Sequence, residues 1–249
     1  MAARAPLNYE TADITRRIQD LVLNSTELSG FLENLSVFCA DELARFSGDV
    51  SCGITVLRPS GAPVMGGSDE RSRSLEDEQT RDREGPGVIA SLEVGIVSVT
   101  DLRSEERWPS FVEAARREKV RSLLALRLHL AGPTSAGMIF YSSRPHGFGR
   151  DAMAAAHALA AEASKGLRLV LRIVSLQETE ENLRAAMASR TPTDLALGVI
   201  IGQERCSYDV ALEWLFRASR TRNVSIRDLA AEIVAAADEP HPVRVLFDR

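Results

Sequence analysis

Four arginines stand close together near the C-terminal end of the sequence: Arg217, Arg220, Arg222 and Arg227. Asp228 is the only acidic residue beside them. A guanidinium group forms planar, paired hydrogen bonds with phosphate oxygens, and several of them together neutralise a phosphate backbone. The cluster therefore predicts a phosphate-binding surface. The alternative is that these side chains are merely solvated at a turn between two helices.

Small residues lie just upstream, where Gly198 and Gly202 are four positions apart in a segment with helical character. A glycine in a helix interior costs about 1 kcal/mol relative to alanine. Two glycines on one helix face suggest that another group approaches that face closely. The approaching group is either a nucleic-acid backbone or base, or a neighbouring helix of the same protein.

No metal site or enzyme active site is predicted. The histidines and cysteines lack the spacings of metal ligands; they are His129, His146, His157, His241, Cys39, Cys52 and Cys206. An odd number of well-separated cysteines indicates reduced thiols, and small buried side chains are the expected role. The sequence contains neither a Gly-rich phosphate loop ending in Lys-Ser/Thr nor a Gly-x-Ser-x-Gly turn. We therefore expect no catalytic activity.

The overall composition is that of a globular protein. The chain has 249 residues, of which 45% are hydrophobic and 26% charged, and a net charge of -5. A globally basic nucleic-acid binder is excluded, although a local basic patch is not. No apolar run is long enough to span a bilayer, and the first residues lack the apolar core of a secretion signal. We expect two unequal domains, no membrane association and a cytoplasmic location.

The first part of the chain alternates between helical and strand patterns. Apolar residues recur every three or four positions from Asp13 to Ala44, with a break at 24–26, which predicts two helices. The stretch "VSCGITVLRPSGAPVMGGS" predicts a hairpin, and further strands are predicted at "IVSVTDL", "RSLLALRLHL" and "SAGMIFYSS". Short helices separate them. This pattern predicts an α+β domain over residues 10–168 with a mostly antiparallel sheet.

This region resembles a GAF domain. The resemblance is carried by Gln79, Glu84-Gly85-Pro86, Asp101-Leu102, Arg107-Trp108-Pro109, Val120-Arg121-Ser122, Gly137, Tyr141-Ser142 and Phe148. It implies an antiparallel sheet flanked by helices, a sensory role and a small-molecule pocket on one side of the sheet. The ligand stays unknown. Some GAF domains bind haem or a bilin, for which His129 and Cys52 are formal candidates, but core or edge positions are the favoured roles of both.

A long helix is predicted over residues 151–188, overlapping both domains. Its apolar residues step by three and four, as in a coiled-coil seam. The predicted dimer seam consists of Leu169, Ile173, Leu176, Leu183 and Met187. A homodimer is therefore expected. Packing of the helix against its own sheet is the alternative explanation for the first half of the pattern.

The C-terminal part predicts a three-helix bundle over residues 180–237, followed by a tail at 238–249. A helix is expected to begin at Thr191 and Pro192, and the next two at the N-caps Ser207 and Ser225. The expected core consists of Leu195, Val199, Ile200, Ala211, Leu212, Leu215, Leu229, Ile233 and Val234.

This bundle closely resembles an ANTAR domain, the RNA-binding module of antiterminators. The matching residues are Ser189-Arg190, Asp194, Ala196, Gly198, Gln203, Cys206-Ser207, Ala211, Leu215, Ala218-Ser219, Asn223, Arg227-Asp228, Ala230 and Ile233-Val234. Pro192, Thr193 and Leu197 depart from the family pattern. The residues expected to contact RNA are Arg190, Ala196, Gly198, Arg205, Ser219, Arg220, Arg222, Asn223 and Arg227.

The function implied by both resemblances is regulation of transcription by antitermination. A GAF sensor domain would control an ANTAR module that binds hairpin loops in nascent RNA. One alternative is a small-molecule sensor whose helical end contacts a protein through Trp214 or Phe216, without RNA. A DNA-binding helix-turn-helix is disfavoured, because the bundle is nearly neutral and the helix with Gly198 and Gly202 is poorly suited to lie in a major groove.

Overall fold

The computed structural model describes residues 7–59 and 61–237, and the side chains of residues 12–59, 61–93, 95–184 and 192–237. The predicted tail at 238–249 lies outside the described residues. Contacts within the chain divide it into two compact units, Met1–Val174 and Ser175–Arg249. No helix in the described part of the chain is both long and apolar enough to cross a membrane.

The N-terminal unit is built on one five-stranded sheet. Its strands are β1 (Val50–Leu57), β2 (Val64–Gly67), β3 (Ile96–Val99), β4 (Ser122–Leu128) and β5 (Ser135–Ser142). They lie in the order β2-β1-β5-β4-β3, and every neighbouring pair is antiparallel. The hairpins and the antiparallel sheet predicted from the sequence are confirmed.

One face of the sheet is covered by three helices: α1 (Leu7–Asn24), α2 (Leu28–Ser47) and the first part of α6 (Arg150–Glu204). Alternate residues of the central strands face these helices, for example Ile54 of β1 and Phe140 of β5. The helices approach closely at Gly166 of α6, where an added Cβ would lie 2.5 Å from Ile18 Cγ2. The apolar pattern of α6 begins upstream of the predicted seam, at Leu159, Ala163 and Gly166, and these residues are buried, as the alternative explanation predicts.

The other face is covered by α3 (Glu70–Asp82), α4 (Pro86–Ile89), a π-helical turn (Ala90–Val94), a 3-10 turn (Leu102–Ser104) and α5 (Pro109–Arg117). The strand residues between those of the first face point here, among them Ile139 and Tyr141 of β5. Helix α3 begins at a capping box, in which Asp69 accepts from the Ser72 N–H and the Ser72 side chain pairs with the Asp69 N–H. The sheet is thus a layer between two sets of helices.

Helix α6 differs from the prediction because it is continuous from Arg150 to Glu204. A new helix was expected to begin at Pro192, but Pro192 lies inside α6. A proline in a helix interior lacks its N–H donor and costs about 3 kcal/mol. The strong helix formers leucine, alanine and methionine that precede it, "LRAAMA", favour continuation of the helix.

The C-terminal unit packs the end of α6 against α7 (Tyr208–Arg222) and α8 (Ile226–Ala237). Ser207 caps α7 by accepting from the Val210 N–H, as predicted. The fully buried core consists of Ala196, Leu197, Ile200, Ala211, Leu215, Leu229, Ala230 and Ile233. Leu195, expected in this core, is exposed instead. Three consecutive apolar residues begin here, and the burial of the other two rotates Leu195 towards solvent.

Candidate functional site

The exposed face of α6 in the C-terminal unit contains both glycines of interest. Gly198 and Gly202 are exposed, and a Cβ added to either would meet nothing within 4 Å. Packing within this unit therefore does not require glycine at these positions. The contact of Gly198 with RNA stays a prediction.

Ala196 was also expected to contact RNA, but the structure places it elsewhere. Its side chain is fully buried in the helical core, together with that of Leu197. A buried methyl group does not reach a ligand on the surface, so its burial does not support the predicted RNA contact by Ala196. The departure from the family pattern at Leu197 likewise contributes to the core rather than to the surface.

The turn after α7 is held by hydrogen bonds that involve two other predicted contacts. The Ser219 hydroxyl is buried and donates to the Val224 carbonyl at 2.7 Å, so Ser219 has a structural role and its predicted RNA contact is not supported. Asn223 ends α7 in the left-handed conformation, at φ 52° and ψ 39°. Its N–H donates to the Arg220 carbonyl at 3.3 Å, and the Val224 N–H donates to the Ser219 carbonyl at 3.2 Å. The exposed side-chain amide of Asn223 thus projects from a fixed turn.

The arginines surround this turn. We call residues 216–227 the arginine segment; it contains four arginines and no acidic residue. Arg217 pairs with Glu213 at 3.2 Å, and Arg222 pairs with Glu232 at 3.0 Å. Both pairs are exposed, and exposed pairs of this kind are worth about 0–1 kcal/mol, so an approaching phosphate can displace the acids.

The remaining predicted arginines have no ion pair within the described residues. Arg220 and Arg227 are exposed parts of the arginine segment, and Arg205 is exposed beyond the end of α6 with φ 52°. The side chains of Arg190 and Met187 lie outside the described residues. The structure therefore gathers Arg220, Arg222, Asn223 and Arg227 on or near one turn.

An exposed aromatic residue adjoins this surface, and the RNA prediction did not include it. Phe216 is 42% exposed on α7, one helical turn before Arg220. In the sequence it was considered only as the centre of a protein interface. Its spacing could have indicated an RNA contact, because Phe216 lies four positions before Arg220 and seven before Asn223, which places all three on one helix face.

The predicted dimer seam is exposed wherever the structure describes it. Leu169 and Ile173 in the N-terminal unit, and Leu176 and Leu183 in the C-terminal unit, are between 40% and 63% exposed. Large aliphatic residues that are regularly spaced and exposed on one helix are typical of a surface covered by a second helix. The homodimer stays a prediction.

A second candidate site lies inside the N-terminal unit, where a chain of hydrogen bonds joins the sheet to its helical cover. The Gly87 N–H donates to Gln79 Oε1 at 2.8 Å, and Gln79 Nε2 donates to the Tyr141 hydroxyl at 3.1 Å. Tyr141 in turn donates to Glu76 Oε1 at 2.7 Å, and Thr55 donates to Glu76 Oε2 at 2.6 Å. When Glu76 is ionised, both of its carboxylate oxygens accept a hydrogen bond, and every donor in this chain of hydrogen bonds has an acceptor.

Glu76 is 2% exposed and forms no ion pair with any described residue. Burial raises the pKa of its carboxyl from 4.5 to about 7, and the hydrogen bonds from Thr55 and Tyr141 oppose this shift. The nearby charge of Asp77 raises the pKa further. Glu76 is therefore a buried acid whose proton is exchanged near neutral pH.

Glycines leave room for this network. A Cβ on Gly53 would lie 2.3 Å from Glu76 Oε1, and a Cβ on Gly137 would lie 2.9 Å from the Gly87 carbonyl oxygen. The cavity beside Glu76 has a volume of about 10 Å³ and is lined by Thr55, Leu57, Glu76, Gln79, Thr80, Gly87, Val88, Ser91 and Gly137. This is room for about one water molecule, so the network itself fills the space between sheet and cover.

Neither formal candidate for holding a haem or bilin lines this cavity. Cys52 is buried on the opposite face of the sheet, among the residues that contact α2 and α6. His129 is exposed just after β4. No group of histidine, cysteine, aspartate and glutamate side chains able to hold a metal ion occurs among the residues that the structure describes.

Comparison with known families and structures identifies one region by sequence. Residues 181–234 match the family described as the ANTAR domain. No curated protein is significantly similar to the chain.

Several solved structures share limited likeness with the chain. The GAF domain of a phosphoenolpyruvate-protein phosphotransferase from Coxiella burnetii has 14% identity and a TM-score of 0.48, covering 67% of this chain and 98% of its own. The corresponding Acinetobacter domain has 16% identity and a TM-score of 0.46, with coverages of 67% and 98%. The LuxR-family factor CepR2 from Burkholderia cenocepacia has 13% identity and a TM-score of 0.49, with coverages of 66% and 99%. Likeness at this level does not transfer a function.

Proposed function

Since the chain combines an N-terminal unit of GAF-like architecture with an ANTAR domain at residues 181–234, we propose that it binds hairpin loops in nascent RNA and thereby permits transcription to continue past a terminator. ANTAR domains belong to RNA-binding antitermination regulators, and they are regulatory rather than catalytic. The ANTAR match is the observation that carries the proposal.

The surface chemistry of the C-terminal unit supports binding of a polyanion. The arginine segment has four positive charges and no acidic residue, although the whole chain has a net charge of -5. Phosphate contacts supply much of the affinity of a protein for nucleic acid, and RNA specificity commonly resides in unstacked loop bases. The two exposed glycines of α6 leave open space for such a loop.

Two further parts of the proposal concern assembly and control. The exposed leucines along α6 join two copies of the chain, which gives each dimer two RNA-binding domains and raises the effective concentration for an RNA with two hairpins. The N-terminal unit acts as the sensor. Its pocket takes a small-molecule ligand only if the hydrogen-bond network around Glu76 rearranges, because the space beside it holds about one water molecule.

The experiment measures binding of the full-length protein to an RNA with two hairpins, to the same RNA with scrambled loops, and to duplex DNA, over a series of salt concentrations. We expect preference for the intact loops and an affinity that falls as salt rises. Arg220→Ala should weaken binding and reduce the salt slope by about one. Arg117→Ala, an exposed arginine of α5, is the matched control.

Equal binding to all three nucleic acids, or no binding to any RNA from a pool of hairpins with randomised loops, would contradict the proposal. Retained RNA affinity in a chain that lacks residues 180–249 would also contradict it. If the helical module binds a protein instead of RNA, Arg220→Ala should not change the affinity for RNA.

A further inference from the structure

One face of α7 carries three different kinds of exposed side chain. Phe216, Arg220 and Asn223 occupy positions i, i+4 and i+7, which lie within an arc of about 60° on the helix and span about 10 Å along it. All three are exposed. An aromatic ring, a cation and an amide therefore follow one another along a single stripe at the C-terminal end of the helix.

The structure fixes the backbone of this stripe and leaves its side chains available. The Ser219 hydroxyl and the Val224 N–H hold the turn around Asn223, so the amide starts from one backbone position. Within the described residues, the Arg220 guanidinium and the Asn223 amide have no side-chain partner. Their hydrogen-bonding groups face solvent, and a ligand can use them without breaking an existing contact.

The surroundings of Phe216 favour a nucleotide over a protein. The core of a protein interface is a contiguous apolar patch. On the exposed side of Phe216, the neighbours one turn away are Glu213 and Arg220, while Leu212 packs against the core of the unit. Along α7, the exposed neighbours of the ring are therefore charged rather than apolar, and the positive charge of the arginine segment complements a phosphate backbone.

We propose that Phe216 stacks on an unpaired loop base of the bound RNA, while Arg220 contacts the adjoining phosphate and the Asn223 amide hydrogen-bonds the edge of that base. This inference rests on the proposed RNA-binding function and adds a specificity-determining residue to it. Stacking of a base on an aromatic ring tolerates any base, whereas an amide with both a donor and an acceptor discriminates between base edges.

The test uses the full-length protein and an RNA hairpin selected by it from a pool with a randomised loop. Phe216→Ala should weaken binding about 5- to 150-fold, the range measured for loss of one stacked base. Phe216→Trp should retain the affinity, and Phe216→Leu should not, because leucine keeps apolar volume without a π face. The salt slope should be unchanged in all three variants, since Phe216 contacts no phosphate.

An abasic scan of the selected loop locates the stacked base. We expect one abasic position to reduce RNA binding by the wild type strongly. The same position should hardly change binding by Phe216→Ala, because the variant already lacks the contact that the missing base would make. Val210→Ala, which truncates an exposed apolar side chain on a different face of α7, is the control and should bind like the wild type.

The inference is overturned if Phe216→Leu binds as tightly as the wild type, or if no abasic position is coupled to Phe216. A lower molecular mass for Phe216→Ala than for the wild type would also overturn it, because the ring would then lie between two copies of the chain. Failure of the wild type to select any hairpin is a different result, which removes the proposed function itself.

Discussion

At the scale of single residues, Glu76 shows how the fold sets the chemistry of one group. It lies between the sheet and its cover, accepts hydrogen bonds from Thr55 and Tyr141, and has no cation paired with it among the described residues. Its pKa in the folded protein is about 7, against 4.5 for the ordinary carboxyl. The folded protein therefore holds this proton at pH values where the unfolded chain releases it.

This difference makes stability depend on pH with a defined sign. The stabilising contribution is complete below about pH 4.5 and is lost as the pH rises to about 7, which amounts to about 3 kcal/mol. Glu76→Gln keeps the shape of the side chain without the charge. The variant should therefore not lose this stability as the pH rises. We expect its free energy of unfolding to exceed that of the wild type at pH 8 and the gap to shrink towards pH 4.5, as measured by chemical denaturation.

The control for this prediction is Glu113→Gln, at an exposed position of α5. Its unfolding free energy should follow that of the wild type at every pH. Parallel pH profiles for Glu76→Gln and the wild type would show that Glu76 is ionised in the folded protein throughout this range, in conflict with the raised pKa.

Residue roles were the least predictable part of the candidate site. Ala196 and Ser219 were expected to touch RNA because they belong to the family pattern, yet one is core and the other holds a turn. Three apolar residues follow one another at Leu195–Leu197, so periodicity alone does not fix which of them face inward. The network around Glu76 was also missed, since Glu76 lies in a helix so rich in charge that one buried acid has no distinct signal.

At the scale of elements, the sequence predicted most of the fold. Strand-forming composition and turn residues located the strands, of which β4 and β5 are buried on both faces of the sheet. The three-and-four spacing located the helices, because it reflects burial of one helix face. The error was the expected helix start at Pro192. The local sequence around Pro192 fits either the first turn of a new helix or the interior of a longer one. Only the continuation of the preceding helix through Pro192 distinguishes the two cases.

The seam of α6 yields a prediction about assembly. Leu176→Glu combined with Leu183→Glu places charges at two exposed seam positions, so two copies should no longer associate. The molecular mass from light scattering should fall from that of a dimer to that of a monomer. Because neither leucine is buried within the chain, each monomer should still fold, and its unfolding temperature should no longer depend on protein concentration.

The matched control for the seam is Ser175→Glu combined with Asn182→Glu, which adds the same charge to α6 at exposed positions outside the seam. This variant should keep the mass of the wild type. A monomeric wild type, or a Leu176 and Leu183 double variant that is still dimeric, would refute the seam.

At the scale of the whole molecule, charge is distributed unevenly. The chain has a net charge of -5, whereas the arginine segment contains only positive charges among its ionisable groups. Net charge therefore excluded a globally basic protein without locating the binding surface. The boundary between the two units falls inside α6, where no break in composition marks it, so the sequence predicted overlapping domains there rather than a linker.

The central claim is that RNA binding by this protein permits transcription to continue, and a terminator readthrough assay tests it most directly. The template places a hairpin selected by the protein so that it overlaps a terminator, and transcription is performed with purified polymerase with and without the protein. The account predicts that the protein increases readthrough on this template and not on its loop-scrambled counterpart. Unchanged or reduced readthrough, at concentrations where the hairpin is fully bound, would contradict it.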